Sequence, residues 1–281
     1  GLVIGNQGAN FCVGADLKQI YQWAQEKQWD NLELAVKTLQ QAMMRIKYSE
    51  KPVVAAPFRM TLGGGCEVCL ASSMVRAHSE CYIGQVEVGV GLIPGAGGTK
   101  EMLLRTINCI PTSVPSAVPG GGKPDLIPYV AKTFETIAMA KVSTSAQDAK
   151  LLGYLRPHDG ITMSYDHLLN DAKQVVIALE KTGYRPPRPR NQIRVTGRSG
   201  MALIEFLIYL LREGLYISDY DTVVAKKVAN VLTGGDVELN TLVTEQYILD
   251  LEREAFVSLC GEEKTQARIK HMLETGRPLR N

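Results

Sequence analysis

The sequence predicts an α/β protein with a parallel sheet in its N-terminal part and a helical C-terminal region. Short apolar runs at residues 1–5 and 52–57 suit buried strands, and an amphipathic segment at 29–46 separates them. Buried strands that alternate with helices are typical of parallel, right-handed crossover connections. After residue 200 the apolar residues recur at helical spacing. We therefore expect a strand and helix core followed by packed helices.

Composition is typical of a globular protein. The 281 residues are 45% hydrophobic, which is enough for a large core, and the net charge of +2 is too small to indicate nucleic acid, a membrane surface or an acidic partner. We see no apolar run near the roughly 20 residues of a membrane span and no leader before the first strand. The expected location is the cytoplasm.

The cysteine pattern favours reduced thiols over disulfides. The six cysteines lie within or beside apolar segments. Cys66 and Cys69 form a CxxC pair, but no second pair of ligands stands at zinc-binding spacing. We therefore predict no metal site.

The first half of the chain can be divided into elements in order. After the strand at 1–5, a helix opens at Ala15 and Asp16, and a longer helix covers 29–46. The strand at 52–57 leads into the glycine turn 63–65 and a helix over 66–77, and a second apolar stretch follows at 81–84. A further helix is predicted over 100–107.

Residues 108–128 carry five prolines and three consecutive glycines, which predict no regular element. The segment is either a surface loop, which is the interpretation we favour, or a lid beside a pocket. Helices are then expected at 145–153, where Gly153 suits a C-cap, and at 165–181.

Residues 183–200 contain three prolines and five arginines, which predict an extended linker. The arginines could bind phosphates, but Tyr184 is the only aromatic residue interleaved with them, so a solvated linker is the favoured interpretation and nucleic acid is not the expected partner. Helices are expected beyond it, with Asp219 and Thr241 as N-caps and Gly214 and Gly261 as stops. The predicted domains are 1–183, 184–200 and 201–281.

The chemistry is concentrated at residues 62–99. Two glycine clusters, 63–65 and 95–98, flank two glutamates, Glu67 and Glu87. Glycine lets backbone N–H groups approach a ligand closely, so the first cluster suits an oxyanion. Two carboxylates beside it indicate acid/base chemistry next to a carbonyl. The simpler alternatives are a first-turn glutamate for Glu67 and a solvated strand-end charge for Glu87.

Three motifs carry a resemblance to a known family. GGGCE at 63–67, GQVEVGVGLIPGAGGT at 84–99 and NFCVGADL at 10–17 are similar to the enoyl-CoA hydratase/isomerase (crotonase) superfamily in order and spacing. The resemblance covers roughly the first two thirds of the chain. It implies a crotonase-like ββα spiral, N-terminally incomplete because about 50 residues usually precede the first strand, with a C-terminal helical region. Motifs in the second half, such as TGGD at 233–236, resemble the crotonase portion of bacterial 3-hydroxyacyl-CoA dehydrogenase fusion proteins.

The resemblance also implies roles for individual residues. It assigns the oxyanion donors to the N–H groups of Ala15 and Gly64 and the acid/base pair to Glu67 and Glu87. The substrate and CoA-binding positions it implies are Gly14, Asp16, Lys18, Gly63 and Gly95. A solvated lysine is the alternative for Lys18. The sequence 57–60 departs from the family pattern at the border of the CoA groove.

The resulting hypothesis is an enoyl-CoA hydratase of fatty-acid β-oxidation, excised from a multifunctional 3-hydroxyacyl-CoA dehydrogenase. The alternatives are a Δ3,Δ2-enoyl-CoA isomerase and a non-catalytic interaction module. The partner is an acyl-CoA thioester whose chain length is not readable. No cofactor is expected in this part, because CoA arrives with the substrate. NAD is expected only if the parent protein has a dehydrogenase domain. We expect a trimer-based homo-oligomer or association with an upstream dehydrogenase domain, and weak activity without the upstream segment.

Overall fold

The computed structural model describes residues 1–110 and 124–281, and these divide into two compact units. Unit 1 consists of Gly1–Glu87, Pro94–Gly98 and Ala140–Pro189. Unit 2 consists of Val88–Ile93, Thr99–Met139 and Arg190–Asn281. The predicted loop at 108–128 lies mostly outside the described residues.

Eight strands occur in the described part of the chain. They are β1 (Leu2–Ile4), β2 (Val53–Ala55), β3 (Arg59–Leu62), β4 (Met74–His78), β5 (Cys81–Gly84), β6 (Gly160–Thr162), β7 (Ile193–Arg194) and β8 (Leu242–Val243). In unit 1, β1, β2, β4 and β6 form a parallel sheet in that order, and β3 pairs with β5, also in parallel. The predicted parallel arrangement is confirmed. In unit 2, β7 and β8 form an antiparallel pair.

Eleven α-helices accompany these strands in the described residues. They are α1 (Leu17–Gln25), α2 (Trp29–Lys47), α3 (Gly64–Ala71), α4 (Gly98–Cys109), α5 (Ile127–Ala138), α6 (Ala146–Leu151), α7 (Leu168–Lys181), α8 (Gly197–Glu213), α9 (Asp219–Thr233), α10 (Glu245–Cys260) and α11 (Glu263–Thr275). The mixed α/β class with a C-terminal helical region is confirmed.

The core of unit 1 joins helices to the buried strand β2, whose three residues are all buried. Met43 of α2 packs with Ala71 of α3 and with Ala96, and Ile46 and Val68 cover this cluster. The apolar face of α2 thus packs against the helix that follows the first glycine cluster. This packing holds α3 in place through contacts of Met43 and Ile46 with Ala71 and Val68.

The helix predicted over 66–77 is wrong in its second half. The structure ends α3 at Ala71 and continues with β4, whose residues alternate between half-buried and buried. The backbone of Ser72 is extended at φ −68° and ψ 148°, which ends the helix, and Val53 N donates to Ser73 Oγ. Pairing of Met74 with Val54 then draws the chain into the sheet. Sheet hydrogen bonds therefore override a locally helix-compatible sequence.

Other differences concern helix starts and short strands. Ser218 caps α9 in a capping box with Asp221, and Thr244 caps α10, whereas Asp219 and Thr241 were predicted. The stops at Gly214 and Gly261 are confirmed as C-caps. The sequence did not predict β3, the β7–β8 pair or α5.

The compact units divide the chain differently from the predicted domains. Residues 88–93 and 99–139 go with unit 2, where α5 packs against α8 and α9. The predicted linker 184–200 includes β7 and the first turn of α8. The assignment of domains at 1–183, 184–200 and 201–281 stays a prediction.

Unit 2 contains a buried charge cluster at the start of α4. Thr99 N and Lys100 N donate to Glu252 Oε2 at 3.0 and 3.3 Å, where a carboxylate interacts favourably with the helix N-terminus. The Lys100 ammonium pairs with Glu101 and lies 3.4 Å from Glu245 Oε2. Burial alone would lower the pKa of Lys100, but the carboxylates of Glu101 and Glu245 outweigh it and raise the pKa.

Candidate active site

The first glycine cluster forms a strand, turn and helix unit, as predicted. Gly63 follows β3 and has φ 55° and ψ −124°, a conformation that strongly favours glycine. Gly64 is the first residue of α3, a position where the backbone N–H has no partner within its own helix. A Cβ at Gly64 would have no neighbour within 4 Å in the described structure. The predicted oxyanion donor therefore has room for a ligand beside it.

The second predicted donor segment runs alongside β3. Cys12 N donates to Met60 O at 3.2 Å and Leu62 N donates to Cys12 O at 2.8 Å. Gly14 has φ 111°, and a Cβ at Gly63 would lie 3.3 Å from Gly14 Cα. The backbone leading to Ala15 and the backbone leading to Gly64 are thus neighbours. This placement is what a hole built from two N–H groups requires.

Glu67 lies one turn into α3 and is buried, with 4% of its surface exposed. Its Oε1 accepts hydrogen bonds from Ala96 N and Gly98 N, both at 2.8 Å. Two fixed backbone donors hold the carboxylate in one orientation. The backbone of the second glycine cluster thus orients Glu67.

The position of Gly98 explains why that cluster needs small residues. A Cβ added there would lie 2.8 Å from Glu67 Oε1 and would clash with Gln85 Nε2. The backbone can therefore approach the carboxylate only because Gly98 has no side chain.

Glu87 follows β5 and opens a 3₁₀ turn, Glu87–Val90. Its side chain is half-buried, and a Cβ at Gly63 would lie 3.2 Å from Glu87 Oε1. Since Glu67 N donates to Gly63 O at 3.1 Å, both glutamates border the first turn of α3. The arrangement differs from a solvated strand-end charge. It places two carboxyl groups beside the Gly63–Gly64 backbone.

Gln85 is a buried residue next to Glu67 that the sequence analysis did not name as a candidate site residue. It is fully buried, and neither polar atom of its side chain has a hydrogen-bond partner in the described structure. Its backbone N–H donates to the hydroxyl of Tyr154 at 3.4 Å. The sequence signal for Gln85 is its amide side chain at the end of an apolar strand, two residues before Glu87. Buried polar groups usually have a hydrogen-bond partner, so an amide in such a place indicates a polar site.

The remaining predicted positions lie on the surface or at helix starts. Asp16 caps α1, accepting from Lys18 N at 3.0 Å and Gln19 N at 3.2 Å, and Lys18 is exposed. Ala15 is exposed and Gly95 is half-buried. The structure explains Asp16 as a helix cap, and the CoA-binding roles of these residues stay predictions.

The six cysteines are free thiols, and among residues 1–110 and 124–281 no cluster of three His, Cys, Asp or Glu side chains is arranged to hold a metal. In the same ranges, none of the helices combines the length and apolar character needed to cross a membrane.

Comparison with known proteins agrees with this geometry. Residues 1–110, which include both glutamates and both glycine clusters, match the model of the family described as enoyl-CoA hydratase/isomerase. The family resemblance of the three motifs is confirmed.

One similar relative is a Bacillus subtilis protein named "Probable 3-hydroxyacyl-CoA dehydrogenase". Identity to it is 48% over 281 residues, which cover all of this chain and 34% of that protein. The chain spans about a third or less of the curated relatives it matches first. The match agrees with the predicted resemblance to dehydrogenase fusion proteins.

Solved structures show the crotonase-like fold. An enoyl-CoA hydratase from Rhodobacter sphaeroides superimposes with a TM-score of 0.59 at 17% identity, covering 100% of this chain and 78% of that one. An enoyl-CoA hydratase from Bacillus halodurans gives 0.58 at 16% identity, covering 96% and 80%. Identities this low establish the fold alone, and the predicted fold is confirmed.

Proposed function

We propose that this chain carries an enoyl-CoA hydratase site that adds water across the double bond of a 2-enoyl-CoA thioester in fatty-acid β-oxidation. The observation that supports it most is that Glu67 and Glu87 both border the α3 turn that presents Gly64 N–H. The match of residues 1–110 to the enoyl-CoA hydratase/isomerase family supports an acyl-CoA thioester as the substrate class.

The oxyanion hole consists of the N–H groups of Ala15 and Gly64. Two N–H donors on the thioester oxygen withdraw electron density from the conjugated β-carbon and stabilise the enolate that forms when water attacks. One such donor commonly contributes ~2.7–4 kcal/mol to transition-state stabilisation. Because the two backbone donors, in the bend before α1 and at the start of α3, are in place before the substrate arrives, little reorganisation opposes this gain.

The two glutamates carry the proton transfers. A carboxylate accepts a proton from water while the water oxygen bonds to the β-carbon, and a carboxylic acid delivers a proton to the α-carbon as the enolate collapses. The net change breaks one O–H bond of water and the π bond of the enoyl C=C, and forms one C–O bond and one C–H bond. Positioned acid/base groups contribute factors of about 10²–10⁴. The hydrogen bonds from Ala96 N and Gly98 N hold Glu67 in place for this exchange.

A Δ3,Δ2-enoyl-CoA isomerase is the second candidate, because one carboxylate beside the same hole can move a proton along the chain. The presence of both Glu67 and Glu87 at the α3 turn favours hydration. A non-catalytic interaction module is a third candidate, and the orientation of Glu67 by two backbone donors argues against it.

Crotonyl-CoA tests the proposal directly. Loss of the conjugated enoyl absorbance after mixing supports hydration, and a 3-enoyl-CoA that gains this absorbance indicates isomerase activity. Neither change, in a chain shown to be folded by circular dichroism, would contradict both enzyme functions and favour the interaction module.

The wider setting is also a proposal. The match to about a third of a dehydrogenase-named relative supports a place for this segment in a multifunctional 3-hydroxyacyl-CoA dehydrogenase. NAD would then be bound outside this segment, which needs no cofactor of its own. The trimer-based assembly, the association with a dehydrogenase domain and the cytoplasmic location stay predictions.

A further inference from the structure

The strand β5, which leads to Glu87, is held along both of its edges within unit 1. It pairs with β3 along one edge and with residues 141–143 along the other. Ser143 N donates to Ile83 O at 2.9 Å, and Ile83 N donates to Ser143 Oγ at 3.0 Å. Residues 141–143 therefore hold the part of β5 that lies just before the proposed acid/base residue.

The last residue of β5, Gly84, lets the two backbones approach closely. Gly84 pairs with Val142 in an antiparallel bridge, and a Cβ on Gly84 would lie only 2.7 Å from Lys141 O. A side chain at this position would push the segment away. On its other edge, Gly84 O accepts a hydrogen bond from Gly63 N at 3.0 Å. The end of β5 is thus fixed between the first glycine cluster and the Lys141 carbonyl.

The hydroxyl of Tyr154 connects this carbonyl to the residue that follows β5. Tyr154 is fully buried, and its hydroxyl donates to Lys141 O at 2.9 Å and accepts from Gln85 N at 3.4 Å. A hydroxyl has one hydrogen to donate and lone pairs to accept, so it can make both bonds at once. Burial raises the pKa of Tyr154, and the nearby Glu87 carboxylate adds to the increase, so the hydroxyl keeps its proton.

We propose that Tyr154 is a positioning residue for Glu87, whose backbone it holds through the hydrogen bond from Gln85 N. The inference rests on the proposed function for its catalytic consequence. Only Val86 separates Gln85 from Glu87, so a movement of the Gln85 backbone carries Glu87 with it. A shift of a reacting group by about 1 Å can cost about a hundredfold in rate. Tyr154 touches no substrate in this proposal and acts only through that backbone.

The test compares two variants of the full chain with the unchanged chain. Tyr154→Phe keeps the ring and removes the hydroxyl, and Tyr184→Phe is the matched control. Tyr184 also belongs to unit 1, but its hydroxyl lies 2.8 Å from Ser73 Oγ. Hydrogen exchange of the Gln85 and Ile83 amides, kcat and KM for crotonyl-CoA, and the melting temperature are measured for all three.

We expect the Gln85 amide of Tyr154→Phe to exchange about tenfold faster, because its acceptor is gone. The Ile83 amide should keep its rate, because Ser143 Oγ still accepts from it. We expect kcat to fall about tenfold and KM to change less than about twofold, because the carboxylate loosens while the oxyanion hole is unchanged. Tyr184→Phe should show normal exchange at Gln85 and normal kcat, even if its melting temperature falls.

Unchanged exchange at Gln85 in Tyr154→Phe would overturn the inference, as would faster exchange with normal kcat. Equally faster exchange at Ile83, or an equal loss of kcat in Tyr184→Phe, would also overturn it, since the effect would then be general destabilisation.

Two further outcomes are decided by the exchange of the Gln85 amide. If Tyr154→Phe does not fold, slow exchange of this amide in the unchanged chain supports the inference and rapid exchange overturns it. If the unchanged chain does not hydrate crotonyl-CoA, the proposed function fails, and the exchange rates alone decide whether Tyr154 holds the backbone before Glu87.

Discussion

The carboxylate of Glu87 lies against the backbone of Gly63, so closely that a Cβ on Gly63 would be 3.2 Å from Glu87 Oε1. Gly63 also accepts the hydrogen bond of Glu67 N, and it precedes the proposed oxyanion donor Gly64. One glycine thus connects three groups of the proposed mechanism. The absence of its side chain lets a carboxyl group approach the start of α3.

We expect Glu67→Gln and Glu87→Gln each to lower kcat for hydration by at least about a hundredfold, because an amide keeps the shape of the carboxyl group but cannot exchange a proton. CoA-ester binding, measured by calorimetry, should change little. Glu80→Gln, at an exposed position in unit 1, is the control and should keep normal turnover. Near-normal turnover of either site variant would remove that residue from the mechanism.

Gly64→Pro should abolish hydration, whereas Gly64→Ala should retain much of it. Proline deletes the N–H proposed to face the thioester and is accepted at the first position of a helix, so α3 should still form. Alanine keeps the N–H, and its Cβ meets no atom within 4 Å in the described structure. Steady-state kinetics with circular dichroism distinguish the two. Equal losses in both variants would show that the damage is steric.

Lys100→Met should destabilise the fold by ~3–5 kcal/mol, because it leaves carboxylates of the buried cluster without their cation. Denaturant unfolding measures this change. Lys51→Met is the matched control, since the Lys51–Glu180 pair is exposed and its loss should leave the unfolding midpoint nearly unchanged. Similar midpoints for both variants would mean that the Lys100 cluster contributes little to stability.

Alkylation should separate the cysteines by burial. Burial raises the pKa of Cys81 and of Cys260 to about 12, so at pH 8 only about one thiol in 10⁴ is ionised at either position. Cys109 is exposed. Iodoacetamide followed by mass spectrometry should therefore modify Cys109 first and leave Cys81 and Cys260 unmodified until denaturant is added. Rapid labelling of Cys81 in the native chain would contradict its buried position.

The sequence alone determined the features that depend on local chemistry. Glycine clusters, caps and apolar periodicity located the turn at 63–65, the helices α2 and α7, and the stops at Gly214 and Gly261, because a backbone conformation or an amphipathic face is written into neighbouring residues. The same motifs named Glu67, Glu87, Ala15 and Gly64, and the structure brings their segments together. Their catalytic roles stay predictions.

Only the tertiary structure decided the contacts between distant segments. Residues 74–78 suit either a helix or a strand until Met74 pairs with Val54, and the second glycine cluster could not be linked to Glu67 before Ala96 N and Gly98 N were placed on its carboxylate. The contact between Thr265 and Gly91 spans 174 positions of the chain. Local periodicity does not predict such partners, because sheet pairing and side-chain packing depend on residues that are distant in the sequence.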